Sequence, residues 1–373
     1  MTTQGGQERS PLRMALFADV GHVNIQRWAE GLIGAGAEVH LISFRRGQVA
    51  GATLHILQKK LPGKGMYLSA LPAARRLLRE IQPEVVAAYY VTGYGLLAAL
   101  TGVHPLVQVT SGSDVLIAPH NPLMRAVVRF TLSRADLITA WADHMAAAAL
   151  KVFPQQKRSS VANRLMVLPR GIPAETFAAV HSPPPAADQA LRIISTRSLR
   201  PAYKIDTIIR AVGLLRREGV DVYLTIAGEG ALRGELEGLA AELKVTDRVR
   251  FAGFVPNDQL PGLLAQHTTY LAVIDTDGVS ASLLEGMAVG LLPVVADHLA
   301  NRMWLKAGEN GVLLDDLSPG GVAAALRRAH GDLGLRTRAW SANAQIVRER
   351  ADLSLNSARY VGAFRALAAK GRS

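Results

Sequence analysis

The chain contains no cysteine. That excludes disulfides, thiolate nucleophiles and cysteine-ligated zinc, and leaves the compartment open. Aromatic residues make up only 5% of it. They do not interleave with the basic residues and no nucleic-acid motif is present, so nucleic acid is not an expected partner. Acidic residues are outnumbered by basic ones, 30 against 42, for a net charge of +12. The shortfall is uneven. Residues 1–185 hold 19 Lys and Arg against 10 Asp and Glu, the remainder 23 against 20. An excess of that kind suits anionic lipid or phosphorylated ligands. No apolar run follows a basic N-terminal end, so no signal peptide is expected, and residues 1–11 read as a disordered tail. The longest uncharged stretch, Val85–Ser113, is long enough to cross a bilayer. Gly93, Gly95, Gly102 and Pro105 interrupt it. It reads as strand, turn, helix and strand inside a parallel sheet.

At 373 residues the chain exceeds one typical core, and two domains are expected. The first half opens with a strand at Arg13–Val20, a turn through Gly21 and Asn24, a helix and a second strand at Glu38–Phe44. That βαβ start belongs to a doubly wound α/β sheet with its ligand at the strand ends. Gly21 either lets the backbone approach a phosphate or is a plain turn glycine. Ser111-Gly-Ser-Asp114 follows a strand, where loops face a ligand. Asp114 is either an acceptor-side contact or a helix cap. Two basic amphipathic helices, one with Arg75, Arg76 and Arg79 and one with Arg125 and Arg129, either rest on anionic headgroups or are solvated faces. A proline-rich linker, His181–Asp188, ends the half.

The second half restarts the same strand–helix alternation at Leu191. Its centre is Leu271–Asp297: a buried strand, a tight turn at Gly278, a helix from about Ser280 to Val289 and a second buried strand. Asp277 precedes the helix and Glu285 lies within it, roughly 8–12 Å apart at 1.5 Å per residue. Between them the helix N-terminus offers free amides and a positive dipole end, which suit phosphate. A nucleotide-sugar has the matching layout: Asp277 for sugar hydroxyls, the turn amides for the diphosphate, Glu285 for the ribose. Alternatively Asp277 is a cap and Glu285 a solvated face. Arg197 and Lys204 flank the first strand-to-helix crossover of this half. They can stabilise a leaving diphosphate, or be ordinary loop charge. Asp275-Thr-Asp277 also matches a metal-binding pair of carboxylates.

Together these features resemble the retaining glycosyltransferases of family 4, with the GT-B fold. The parts that carry the resemblance are Asp277-Gly-Val-Ser-Ala-Ser-Leu-Leu-Glu285, Pro293–Ala296, Asn301–Trp304, Glu309–Leu314, Arg197–Lys204, Gly228-Glu-Gly230 and Phe251–Val255. The family's paired glutamates, separated by seven residues, are here Asp277 and Glu285. The resemblance implies two Rossmann-like parallel-sheet domains, residues 1–185 and 186–352, facing each other across a cleft. It also implies a C-terminal helix, 353–373, crossing back to the first domain. Asp277 with the amides of Gly278, Val279 and Ser280 would hold the donor sugar, Glu285 the ribose, and Arg197 and Lys204 the diphosphate. Val255 would meet the base and Gly21 the β-phosphate. Asn24, Ser111 and Asp114 are acceptor-side candidates. Asn24 and Ser111 stand where relatives often carry histidine. The expected reaction is sugar transfer with retention from a UDP- or GDP-sugar to a glycan, lipid-linked or small-molecule acceptor. No metal or other cofactor is expected. The expected place is the cytoplasm, on the inner face of an anionic membrane. A sugar-nucleotide epimerase and a non-catalytic scaffold are the competing readings.

Overall fold

The computed structural model describes residues 10–180, 183 and 190–371. The tail expected at 1–11, apart from Ser10 and Pro11, and the linker at His181–Asp188, apart from Pro183, lie outside the described residues. The chain divides into two compact units, one of residues 1–170 with 353–373, the other of residues 171–352.

The first unit is built on strands β1 (Leu12–Phe17), β2 (Ala37–Ser43), β3 (Thr53–Ile56), β4 (Val85–Tyr89), β5 (Leu106–Val109), β6 (Leu137–Ala140) and β7 (Leu165–Val167). They lie in the order β3-β2-β1-β4-β5-β6-β7, every pair parallel. The uncharged stretch resolves into β4, the helix Tyr94–Thr101 and β5. β4 reads Val-Val-Ala-Ala-Tyr with its first four residues buried, as a strand covered by helices on both faces must be. The C-terminal helix Leu353–Lys370 belongs to this unit. It lies on the helix Val23–Gly34, where Tyr360 meets Trp28 edge-on at 5.6 Å. A Cβ on Gly31 would stand 2.5 Å from Ser357 Oγ, so the glycine eases the close approach of the two helices.

The second unit has β8 (Leu191–Ser195), β9 (Val222–Ile226), β10 (Val249–Phe251), β11 (Thr269–Ala272), β12 (Leu292–Ala296) and β13 (Val312–Leu314). Their order, β10-β9-β8-β11-β12-β13, is that of a doubly wound dinucleotide-type sheet, all parallel. The contact division falls between Arg170 and Gly171, not at the expected 185/186. Ile172, Ala174 and Phe177 are buried in the second unit's core, which draws the segment before the linker into it.

Two elements are not foreshadowed by hydrophobic pattern. β3 is an edge strand with no buried residue. The helix Leu333–Arg350 packs on the helix Ala281–Val289, and its buried residues include Ala339, Asn343, Ala344 and Val347. Small and amide side chains on its buried face leave no apolar stripe to read.

Candidate active site

The central stretch of the second unit folds as its sequence suggests. β11 delivers the chain to a turn, Ser280 caps the helix Ala281–Val289, and β12 returns beside β11. Ser280 Oγ accepts from the Leu283 amide at 3.2 Å. The amides of residues 279–282 make no hydrogen bond to protein among the described residues. The helix therefore presents open donors and its positive end. It is held down from below by Tyr270. A Cβ on Gly286 would lie 3.0 Å from the Tyr270 Cβ, and the Tyr270 hydroxyl donates to Ser282 Oγ at 2.8 Å. Burial pushes the Tyr270 phenol pKa up, so it stays a proton donor.

Asp277 lies just before this helix end and forms an ion pair with Arg197, which comes from the loop after β8. Its other oxygen accepts from the Gly278 amide at 2.8 Å. The Arg197 side chain is 12% exposed, and its guanidinium lies over the Tyr203 ring at 4.9 Å. Arg197 Nε is buried with no partner among the described residues, an N–H donor still to be satisfied. Burial works against the charge of Arg197, but Tyr270 and Asp277 outweigh it and hold its pKa above the usual value. Lys204, the left-handed residue at φ 45° that opens the helix Ile205–Arg217, pairs with Asp275.

Two glycines fix the floor of the cation loop. A Cβ on Gly228 would stand 2.2 Å from the Arg197 carbonyl oxygen, and one on Gly230 2.2 Å from that of Leu199. The Leu199 amide in turn donates to Glu229 O at 3.0 Å. The turn after β9 and the loop after β8 are thus in backbone contact, which no side chain permits.

Glu285 lies on the same helix as the open amides and is 6% exposed. Val279 and Val255 are partly buried against one hydrophobic cluster, which also contains Leu283 and Leu284 beside Glu285. Val255 follows Gly253, whose φ of +72° turns the chain after β10. The motif around Asn310 is structural. Its Nδ2 donates to Trp304 O at 3.0 Å and Asn343 Oδ1 at 2.8 Å, tying the loop to the helix Leu333–Arg350.

The first-unit candidates fare differently. The Gly21 amide already donates to Asp19 Oδ1 at 2.9 Å, as in a plain turn. Asn24 is exposed, and its carbonyl accepts from Arg170 at 2.9 Å. Asp114 is fully buried and accepts from the amides of Val91, Ser111 and Gly112, each at 3.0 Å. It is the cap of its loop, not a ligand contact; burial raises its pKa and the amides pull it back. Ser111 is half-buried beside it. The basic helices are also partly committed. Arg75 caps the carbonyls of Leu100 and Thr101, Arg76 pairs with Glu80 at 3.7 Å, and Arg125 donates to Pro119 O. No helix among the described residues is long and apolar enough to cross a membrane.

Sequence reasoning missed Tyr203, the platform under Arg197. It assigned Asp275 only to a metal pair, where the structure has it as the partner of Lys204. A tyrosine one residue before a left-handed lysine carries no signal of stacking on a cation six positions upstream.

Comparison with known proteins follows the same division. Residues 13–141 match the family described as Glycosyl transferase 4-like, and residues 179–345 match Glycosyl transferases group 1. A GDP-mannose-dependent α-(1-6)-phosphatidylinositol monomannoside mannosyltransferase of Mycobacterium tuberculosis is 26% identical over 68% of each chain. The lipopolysaccharide core biosynthesis glycosyltransferase LpsE of Rhizobium meliloti is 36% identical over 35% of this chain and 37% of its own. Among solved structures, Anabaena HepE in complex with UDP and glucose superposes with a TM-score of 0.75 at 15% identity, covering 95% of this chain and all (100%) of its own. Sucrose-phosphate synthase of Thermosynechococcus elongatus gives a TM-score of 0.78 at 15% identity, over 97% and 100%. At that identity the structures show the fold.

Proposed function

Because this chain belongs to the GT-B glycosyltransferases, which use nucleotide-sugars, we propose that it transfers a hexosyl group from a UDP- or GDP-sugar to a hydroxyl, with retention at the anomeric carbon. The observation that supports this most is one cluster in the second unit. Arg197 and Lys204 converge on Asp277 and Asp275 at the open end of the helix Ala281–Val289. The diphosphate lies on that helix end, beside the charges of Arg197 and Lys204. As the glycosidic bond lengthens, charge builds on the leaving phosphate, and the two fixed cations stabilise it more than they stabilise the bound donor. Asp277 and the amides of Gly278, Val279 and Ser280 hold the sugar, Glu285 the ribose and the Val255 backbone the base.

Asp277 and Asp275 are each held by a cation, an arrangement that suits binding more than attack on the anomeric carbon. Departure and attack on one face, with the leaving phosphate taking the acceptor proton, fits that arrangement. It also fits a reaction without metal, because a divalent ion would have to displace both cations from the carboxylate pair. The acceptor is a glycan or lipid-linked hydroxyl, held by the first unit. The relatives named for phosphatidylinositol mannoside and lipopolysaccharide core synthesis favour that class. Work on such acceptors places the protein on the inner face of the membrane, in the cytoplasm.

The test is slow donor hydrolysis by the purified chain across UDP-, GDP- and ADP-sugars, with EDTA present, and the anomer released read by NMR. Hydrolysis of one donor with retention supports the proposal. Inversion, or loss of activity with EDTA, removes the corresponding part.

A further inference from the structure

The first unit contains a pocket that the donor chemistry does not use. It has a volume of about 590 Å³ and is lined by Lys59, Lys60, Lys64, Tyr67, Tyr90 and Thr92, among others. Its wall is the turn after β4, at the carboxyl end of the sheet. There β4 lies beside β1 while the strand order reverses, the position where doubly wound sheets take ligands. The turn is packed closely against the pocket wall. Tyr90 stands in the left-handed region at φ 76°, and a Cβ on Gly93 would come within 2.8 Å of the Tyr67 hydroxyl. Strain of this kind is retained where surrounding structure demands it.

The charge of the pocket is one-sided. No aspartate or glutamate lines it. Lys59, Lys60 and Lys64 make no ion pair among the described residues. Lys64 Nζ lies 2.9 Å from Met124 Sδ, which seats the lysine loop against the helix Pro122–Ser133. Three uncompensated ammonium groups around a concave space form a site for an anion, and their compact charges suit phosphate. The two tyrosines add neutral polar groups at the same wall, the Tyr90 hydroxyl being shared with Ser113 Oγ at 3.2 Å. Burial pushes the Tyr67 phenol up to about 12, so it remains protonated at neutral pH.

We propose that this pocket binds a phosphoryl group carried by the acceptor, with Lys59, Lys60 and Lys64 as its counter-charge and Tyr67 and Tyr90 as hydrogen-bond donors to the attached polar group. The assignment rests on the first unit being the acceptor side. A phosphoryl group reaches such a pocket either on a soluble sugar phosphate or on a lipid. Leu61, Leu68 and Leu123 are 52%, 58% and 68% exposed on the same segments.

The experiment uses the full chain and three probes. Glucose 6-phosphate and glucose are titrated by NMR or calorimetry. Co-sedimentation is measured with phosphatidylcholine vesicles with and without phosphatidylglycerol. Each is repeated with Lys59→Ala/Lys60→Ala/Lys64→Ala and with the three lysines changed to arginine. UDP and GDP titrations of the same samples report the donor side separately. The expected result is binding of glucose 6-phosphate but not glucose, or sedimentation only with phosphatidylglycerol. Either falls at least about tenfold in the alanine variant and is kept by the arginine variant. The first pattern identifies a soluble phosphate source and the second a lipid one. Nucleotide binding is retained in all three proteins. The proposal is overturned if glucose 6-phosphate and glucose bind alike and vesicles are indifferent to charge, or if the alanine variant behaves as the native chain. Absence of nucleotide binding by the native chain would instead overturn the donor assignment.

Discussion

The two units share one architecture and treat positive charge in opposite ways. In the second, the cations that face the helix end are already matched: Arg197 by Asp277 and Lys204 by Asp275. In the first, Lys59, Lys60 and Lys64 line a pocket with no carboxylate in its wall. A matched cation is pre-oriented and its ligand must displace an internal anion; an unmatched one is open, at the cost of self-repulsion. The difference suits the two proposed tasks. A leaving group that gains charge during reaction needs donors fixed in advance. An acceptor that only has to be held needs attraction.

The sharpest way to break the comparison is at Arg197. Arg197→Ala should lower turnover about 10²–10³-fold, the usual cost of losing one fixed donor at a developing charge. It should do so in single-turnover assays at saturating donor. A loss seen only in KM would make Arg197 a plain binding residue, no different in kind from the lysines.

Next in size is the floor beneath it. Gly228→Ala puts a methyl 2.2 Å from the Arg197 carbonyl oxygen. The loop must shift, with about 1–3 kcal/mol lost in thermal or denaturant unfolding and weaker donor binding besides. Gly34→Ala, at a helical position with nothing within 4 Å of the added methyl, is the control; it should leave binding unchanged and cost no stability, with a gain of up to about 1 kcal/mol.

The smallest expected effect concerns the internal anion itself. Asp275 is 68% exposed and Lys204 30%, so their pair is worth roughly 0–1 kcal/mol. Asp275→Asn should therefore tighten nucleotide diphosphate binding by about two- to fivefold, read by calorimetry at low salt, and the gain should fade as salt rises. Weaker binding would show that Asp275 holds Lys204 in place for the ligand and does not compete with it.

How far this arrangement is legible without coordinates differs along the chain. The helix from Ser280 and the strands around it are written in the apolar runs of Leu271–Asp297, because strands buried on both faces carry continuous hydrophobic residues. The helix Leu333–Arg350 is hidden, since it buries alanine and asparagine against its neighbours. Asp114 illustrates a different limit. A carboxylate in a polar loop at a strand end is written the same way whether it faces a ligand or caps three backbone amides, and burial alone decides. The pairing of Arg197 with Asp277 spans 80 residues, and Lys204 with Asp275 spans 71, so no spacing rule announces them. The lysine pocket is hidden for the same reason: the turn after β4 and the Lys59–Lys64 loop meet only in the fold.

The central claim is that the second unit grips a nucleotide diphosphate through Arg197 and Lys204 at the open end of one helix. Calorimetric titration of the full chain and of the Arg197→Ala/Lys204→Ala double variant with UDP and GDP tests it most directly. The account predicts that at least one nucleotide binds the native chain and that the double variant loses about a hundredfold or more in affinity. Equal affinity in the two proteins, or no binding of either nucleotide to the native chain, would contradict it.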